Sequence, residues 1–237
     1  MQAPRSSGRV GAAVLAGLAA AAVAVAFNLL VAEPVVDEAV RLETSADHED
    51  AATEPFTRAQ QRAGMAIGQV LVGVSAGLVF AGVTALAAPD AQGRTTPRRW
   101  LGLVAAAAWA AMVLPAVKYP PLPPGAASSL PVGQRQVAYL ALVAAGLGGA
   151  WAAARLWRAT AGRSTGRRLT LSGTALLVPA ALAVLLLPTN VTTGDLPAEL
   201  VGRFRVASLG GQTLFWASFA LMGGWLLRHG RPRPVSP

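Results

Sequence analysis

The sequence predicts an all-α integral membrane protein, a bundle of six transmembrane helices. Three observations carry that expectation. Six apolar runs are close to the roughly 20 residues a helix needs to cross a bilayer. Only 13% of the 237 residues are charged, about half the share usual in a soluble domain. The basic residues sit in short clusters between the runs, where they report orientation. The net charge of +9 is therefore not read as a nucleic-acid footprint. Helices are the expected carriers because an unpaired amide in lipid costs several kcal/mol.

The first run, residues 10–32, follows Arg5 and Arg9. Its basic start and the Ala24–Val25–Ala26 triplet also resemble a signal peptide. At 23 residues it exceeds the usual 7–15-residue apolar core, so an uncleaved anchor is expected. Cleavage would leave five spans. The second run is 64–87, with Gly64–Gly68 and Gly73–Gly77 at GxxxG spacing and Gly82 beyond. The third is 100–117. The fourth, 137–157, holds Gly146, Gly148 and Gly149. The fifth is 169–187. The sixth, 207–227, holds Gly210, Gly211, Gly223 and Gly224. Small residues let helices approach in lipid, so these glycines predict close packing, or contact within a homo-oligomer.

Of the 20 Lys and Arg, 13 fall on the side that includes both termini and seven on the other, which also holds ten of the eleven acids. The positive-inside rule then places both ends in the cytoplasm. Three segments face outward: 33–63, 118–136 and 188–206.

The first outer segment is the most acidic part of the chain. "EPVVDEAVRLE" opens with Glu33 and Pro34, and Val36, Ala39, Val40 and Glu43 recur at helical spacing. It reads as a short amphipathic helix on the outer surface. Asp47, His48, Glu49 and Asp50 follow. Carboxylates and an imidazole suit divalent cations, cobalt and nickel included, but acidic loops are commonly just solvated.

The second outer segment contains "LPAVKYPPLPPG" (114–125). Its prolines fix φ and remove donors, so it reads as a stiff cap on the third span, or as a rigid lid. Lys118 can reach back to the interface. In the third segment Asp195 is a good N-cap, and Glu199 stands in the first turn. Glu199 and Arg203 are spaced i, i+4 in the favourable order. From Leu196 to Leu227 a helix measures about 48 Å, so it begins outside the lipid. Leu200, Phe204, Ser208, Gln212 and Trp216 form one stripe along it. Arg203 and Arg205 cannot share a face, so one should pair with a distant acid such as Glu33 or Asp37. Glu33, Asp37, Lys118, Glu199, Arg203 and Arg205 are thus an expected outer ion-pair or entrance group.

Within the spans, Asn28, Gln69, Ser208 and Gln212, with Thr213, are the polar residues to weigh. They read as functional or as interhelical hydrogen bonds. Cysteine is absent, and neither histidine, His48 or His229, lies inside a span. No GxxxxGK[ST] phosphate loop is present. No nucleophile motif or His/carboxylate cluster appears, so an enzyme is not expected.

"LPAVKYPPLPPG" (114–125), "GQRQVAYL" (133–140), "LPAELVGRFRVASLGGQTLFW" (196–216) and the first span running into "VAEPVVDEA" together resemble the CbtA family of proposed cobalt transporter subunits. The resemblance covers most of the chain in order. It implies a multi-pass protein of the bacterial inner membrane, linked to cobalamin biosynthesis. It also implies a small single-span partner with a His-rich tail (CbtB-like). Cobalt enters as transported substrate and no cofactor is expected. The alternative is a non-transporting scaffold for that partner. The family is usually described with one span fewer than six. With no histidine in a span, a metal path here must use oxygen ligands or the partner's histidines.

Overall fold

A computed structural model describes residues 5–46, 56–86, 95–189, 192–193 and 196–229. The chain is all-α in its membrane-length elements. Helix α1 (Arg5–Phe27) passes through a π turn (Asn28–Ala32) into α2 (Glu33–Ala46). Then come α3 (Arg58–Leu86), α4 (Pro97–Ala108), a second π turn (Trp109–Val113) and α5 (Leu114–Lys118). Strand β1 (Ala127–Ser128), α6 (Val132–Ala159), α7 (Thr165–Leu186), β2 (Thr192–Thr193) and α8 (Ala198–His229) complete the order. Five continuous helices are long and apolar enough to cross a membrane: Val10–Glu43, Arg58–Leu86, Pro97–Lys118, Val132–Ala159 and Thr165–Leu186. The sixth long helix, α8, is less apolar because Ser208, Gln212, Thr213 and five glycines dilute it. The protein is an all-α, multi-pass membrane protein.

The chain folds as two compact units, residues 1–104 with 198–237, and residues 105–197. In the first, α1 packs on α3 and on α8. The α1 face is a run of alanines. Ala13, Ala16, Ala20, Ala21 and Ala24 are buried. Opposite them, a Cβ at Gly77 would lie 2.6 Å from the Val14 Cα, and one at Gly73 would lie 2.8 Å from the Ala21 Cβ. Backbone therefore meets backbone, the approach that small residues permit in lipid. Of the two expected GxxxG pairs, only Gly73–Gly77 is used this way. Gly64, Gly68 and Gly82 face open space.

The packed face of α8 is Leu200, Ala207, Gly211, Phe215, Phe219 and Gly223, all buried. Apart from Leu200, which the two share, the expected stripe lies one residue further round: Ser208 and Trp216 are half-buried and Gln212 is exposed. An aromatic cluster closes the other end of this unit. Trp100 meets Phe80 edge-on at 5.4 Å and Phe219 at 5.0 Å, and its indole N–H donates to the Ala220 carbonyl at 3.1 Å.

In the second unit α6 packs on α7, on the second π turn and on α5. Leu114, Leu142 and Ala180 are its buried centre. Gly146 lets α6 approach the turn, since a Cβ there would lie 2.8 Å from the Ala110 Cα. The proline-rich segment is clipped to Pro188, Thr189 and Thr192–Thr193 of the same unit. Tyr119 donates its hydroxyl to the Pro188 carbonyl at 2.6 Å, Lys118 Nζ stands 3.4 Å from the Thr189 hydroxyl, and β1 pairs antiparallel with β2. Gly125, at φ 77°, makes the intervening turn, a conformation that suits glycine. At the other end of α6, the Arg168 guanidinium lies 3.9 Å over the Trp157 ring and donates to the Trp157 carbonyl at 3.1 Å.

Both π turns have one cause. Each ends two residues before a proline, Pro34 or Pro115. Proline has no N–H, and its ring clashes with the carbonyl four residues earlier. Widening the preceding turn relieves that clash. Glu33 bonds back five residues to the Asn28 carbonyl, and Leu114 likewise to Trp109. The helix therefore does not end at Pro34. The "EPVVDEAVRLE" helix, expected as a separate surface element, continues the first span, with Val35 and Ala39 as its buried face.

Candidate functional site

Thirty ångströms of hydrocarbon take up about 20 helical residues. Measured from Val10, that length ends before Glu33, so the acids of α2 follow a bilayer-length apolar stretch of the same helix. Glu33 and Asp37 are one turn apart on α2. Arg58 and Arg62 are one turn apart on α3. Each pair thus presents two side chains on one face, and the two faces meet. Glu33 Oε2 accepts from Arg58 Nη2 at 2.9 Å and from Arg62 Nε at 2.8 Å. Asp37 Oδ1 accepts from Arg58 Nη2 at 2.6 Å, and its Oδ2 from Arg62 Nη2 at 2.6 Å. Arg58 Nη1 also donates to Gln61 Oε1 at 2.5 Å.

The result is a closed ring of two carboxylates and two guanidinium groups, formally neutral. Glu33 is its most enclosed member, with 12% of its side chain exposed against 43% for Arg62. The hydrogen bond from Arg58 holds the Asp37 carboxyl below the usual carboxylate range. Each guanidinium bridges both carboxylates, and charge-assisted hydrogen bonds of this kind are stronger than neutral ones.

Beside the ring, Arg203 Nη1 on α8 donates to Glu38 Oε2 on α2 at 2.9 Å. The expectation that Arg203 or Arg205 pairs with Glu33 or Asp37 is thus met differently. Arg203 takes the neighbouring acid, and Arg58 and Arg62 occupy the other two. Glu199 is exposed in the first turn of α8 and makes no ion pair among the described residues, so Arg203 reaches across to α2 rather than back along its own helix. Arg205 Nε is buried without a hydrogen-bond partner among the described residues. Lys118 belongs to the second unit, where it approaches Thr189. Sequence reasoning misses Arg58 and Arg62 as site residues. The opposed "EPVVD" and "RAQQR" spacings, each i, i+4, are the signal that could have found them.

The intramembrane polar residues are not gathered. Asn28 lies in the first π turn, where its Oδ1 would be 2.5 Å from a Cβ at Gly211, so glycine there makes room for the amide. Gln69 and Ser208 are half-buried and Gln212 is exposed. None of the four hydrogen-bonds another of them. Asp47, His48, Glu49 and Asp50 lie outside the described residues, and among the described residues no group of three His, Asp or Glu could hold a metal ion. His229 faces the Trp225 carbonyl at 3.0 Å.

No curated protein and no solved structure matches this chain. A family profile described as "Probable cobalt transporter subunit (CbtA)" matches residues 9–228. That match takes in the ring, both π turns and the proline-rich segment, and by it this protein belongs to the CbtA family.

Proposed function

We propose that the chain is the membrane subunit of a divalent-metal uptake system of the bacterial inner membrane, with cobalt as the transported ion and cobalamin biosynthesis as its context. The family match over residues 9–228 carries this reading. The basic clusters support an orientation with both termini in the cytoplasm, the ring and the proline-rich segment facing outward. In this reading Glu33, Asp37, Arg58 and Arg62 form a neutral outer rim, with Glu199, Arg203 and Arg205 around the entrance and Lys118 on the same side of the membrane. Carboxylate oxygens are suited to a divalent cation, and the paired guanidinium groups keep them from holding it too tightly. The acids at Asp47, Glu49 and Asp50, with His48, would collect cations ahead of that rim. Transport would draw on an ion gradient, the membrane potential or a partner, since the chain has no phosphate loop. The partner proposed is a small single-span protein whose His-rich tail supplies the nitrogen ligands that the spans lack.

Cobalt accumulation in cells without other cobalt importers tests this. Uptake should require the gene and rise further with the partner's gene. Uptake that depends on the partner and is unchanged by deleting this chain would refute it. A chain needed only to keep the partner in the membrane would establish the scaffold reading instead.

A further inference from the structure

The second unit carries an open groove of about 630 Å³, formed by Tyr119, Pro120 and Leu122 on one wall and by α6 on the other. On α6 the lining residues are Val132, Arg135, Gln136, Tyr139 and Leu140. They recur at i, i+3/i+4 and i+7/i+8, so they make one face of the helix. The volume is in the range of small-molecule sites. The wall is apolar except at the level of Arg135 and Gln136. Arg135 is exposed, and among the described residues it makes no ion pair or side-chain hydrogen bond. Two tyrosines flank it, the residues that gather where hydrocarbon meets headgroups.

From this juxtaposition we propose that the groove between the Tyr119–Leu122 segment and the start of α6 binds one anionic phospholipid. Its phosphodiester lies at Arg135 and Gln136, and an acyl chain runs past Tyr139 and Leu140. Charge complementarity selects the occupant. A cation without an ion pair among the described residues, above an apolar groove, matches a molecule with one negative group above a hydrocarbon chain. A basic residue near the bilayer surface draws anionic lipid with an energy that corresponds to about a fivefold preference. A free phosphate would leave the apolar walls unfilled, and a neutral lipid would leave Arg135 unpaired. The proposal is independent of the transport reading.

Native mass spectrometry of the full chain in micelles tests it, titrating phosphatidylglycerol, diacylglycerol and inorganic phosphate. Phosphatidylglycerol should be retained about fivefold more than diacylglycerol. Arg135→Gln should bring it to the diacylglycerol level, and Arg135→Lys should keep most of it. Leu140→Trp, which fills the groove from an exposed position, should lower both lipids. Equal retention of the two lipids by the unaltered chain, or undiminished phosphatidylglycerol on Arg135→Gln, would overturn the proposal. Inorganic phosphate displacing phosphatidylglycerol without any contribution from a chain would overturn it as well, making this a phosphate site.

Discussion

Gly223 and Trp100 should behave as one unit of packing. A Cβ placed on Gly223 would fall on the indole of Trp100, 2.5 Å from its Nε1 and closer still to the ring carbons Cε2 and Cζ2. The ring cannot turn aside freely, because Phe80 stands 5.4 Å away and Phe219 5.0 Å away, and Trp100 is only 2% exposed. Gly223→Ala should therefore cost about 1–3 kcal/mol for overpacking. It should cost about 1 kcal/mol more as the indole gives up the Ala220 carbonyl. Trp100→Leu removes the offending atoms and leaves a partial cavity, costing about 2–3 kcal/mol, short of the 3–5 kcal/mol of a full truncation to alanine. In the double variant the new methyl group occupies space the indole has left. Its cost should fall below the sum of the single costs by at least about 1.5 kcal/mol, within the range of measured coupling between residues in contact. Reversible unfolding in mixed SDS micelles, followed by loss of helical circular dichroism, measures all four states. A Gly223→Ala protein as stable as the parent, or strict additivity in the double variant, would refute this account of the cluster.

Other outcomes follow from the same geometry. Glu33→Gln leaves two guanidinium groups facing one carboxylate; if the ring lines the entrance, cobalt uptake should fall several-fold while the amount of protein in the membrane holds. Unchanged uptake by Glu33→Gln, Asp37→Asn would remove the ring from transport. Asp37 has its pKa lowered from about 3.8, so its stabilising contribution is complete above that value and is lost as pH falls through the lowered one. Asp37→Asn should therefore lower stability at neutral pH, by a small amount because the pair is partly solvated, and cost nothing once the pH is below the lowered pKa, which flattens the acid side of the stability profile. Tyr139→Phe strands the Ala111 carbonyl and should destabilise the protein by about 1–2 kcal/mol, read in the same micelle assay. Tags at residues 1 and 237 should both be unreactive from outside intact cells; labelling of either would reverse the corresponding part of the orientation.

Much of this is legible in the residues. Apolar run length locates the six long helices, because a bilayer imposes a length that composition must meet. Helical spacing is less decisive about faces. In α8 the polar stripe through Ser208 and Gln212 is conspicuous, yet the packed face runs through Ala207, Gly211 and Phe215, one residue round. In lipid the closest-packed side is the smallest side, and not the one whose chemistry stands out. The same rule selects Gly73–Gly77 over Gly64–Gly68, a choice that depends on where the alanine face of α1 falls. The ring at Glu33 is half legible. Its acids are expected to find distant cations, but Arg58 and Arg62 stand closer in sequence. The π turns are not legible in the spacing. Pro34 reads as a helix start, although a proline can also be carried within a helix when the turn before it widens.

The turn before Pro115 bears on how the protein is made. In a regular helix the Ala111 carbonyl would accept from residue 115, which is a proline. Here the Tyr139 hydroxyl supplies that bond at 2.9 Å, from a residue 28 positions later. When the third span reaches the membrane during synthesis, its donor is still 28 residues behind it in the chain and has not yet arrived. At about 5–20 residues per second, the wait is roughly 1–6 s. Until then the oxygen must stay near water or the insertion machinery, because lipid offers it nothing. The third and fourth spans are thereby bound to enter the bilayer as a pair, in an order written into the chain by one missing hydrogen.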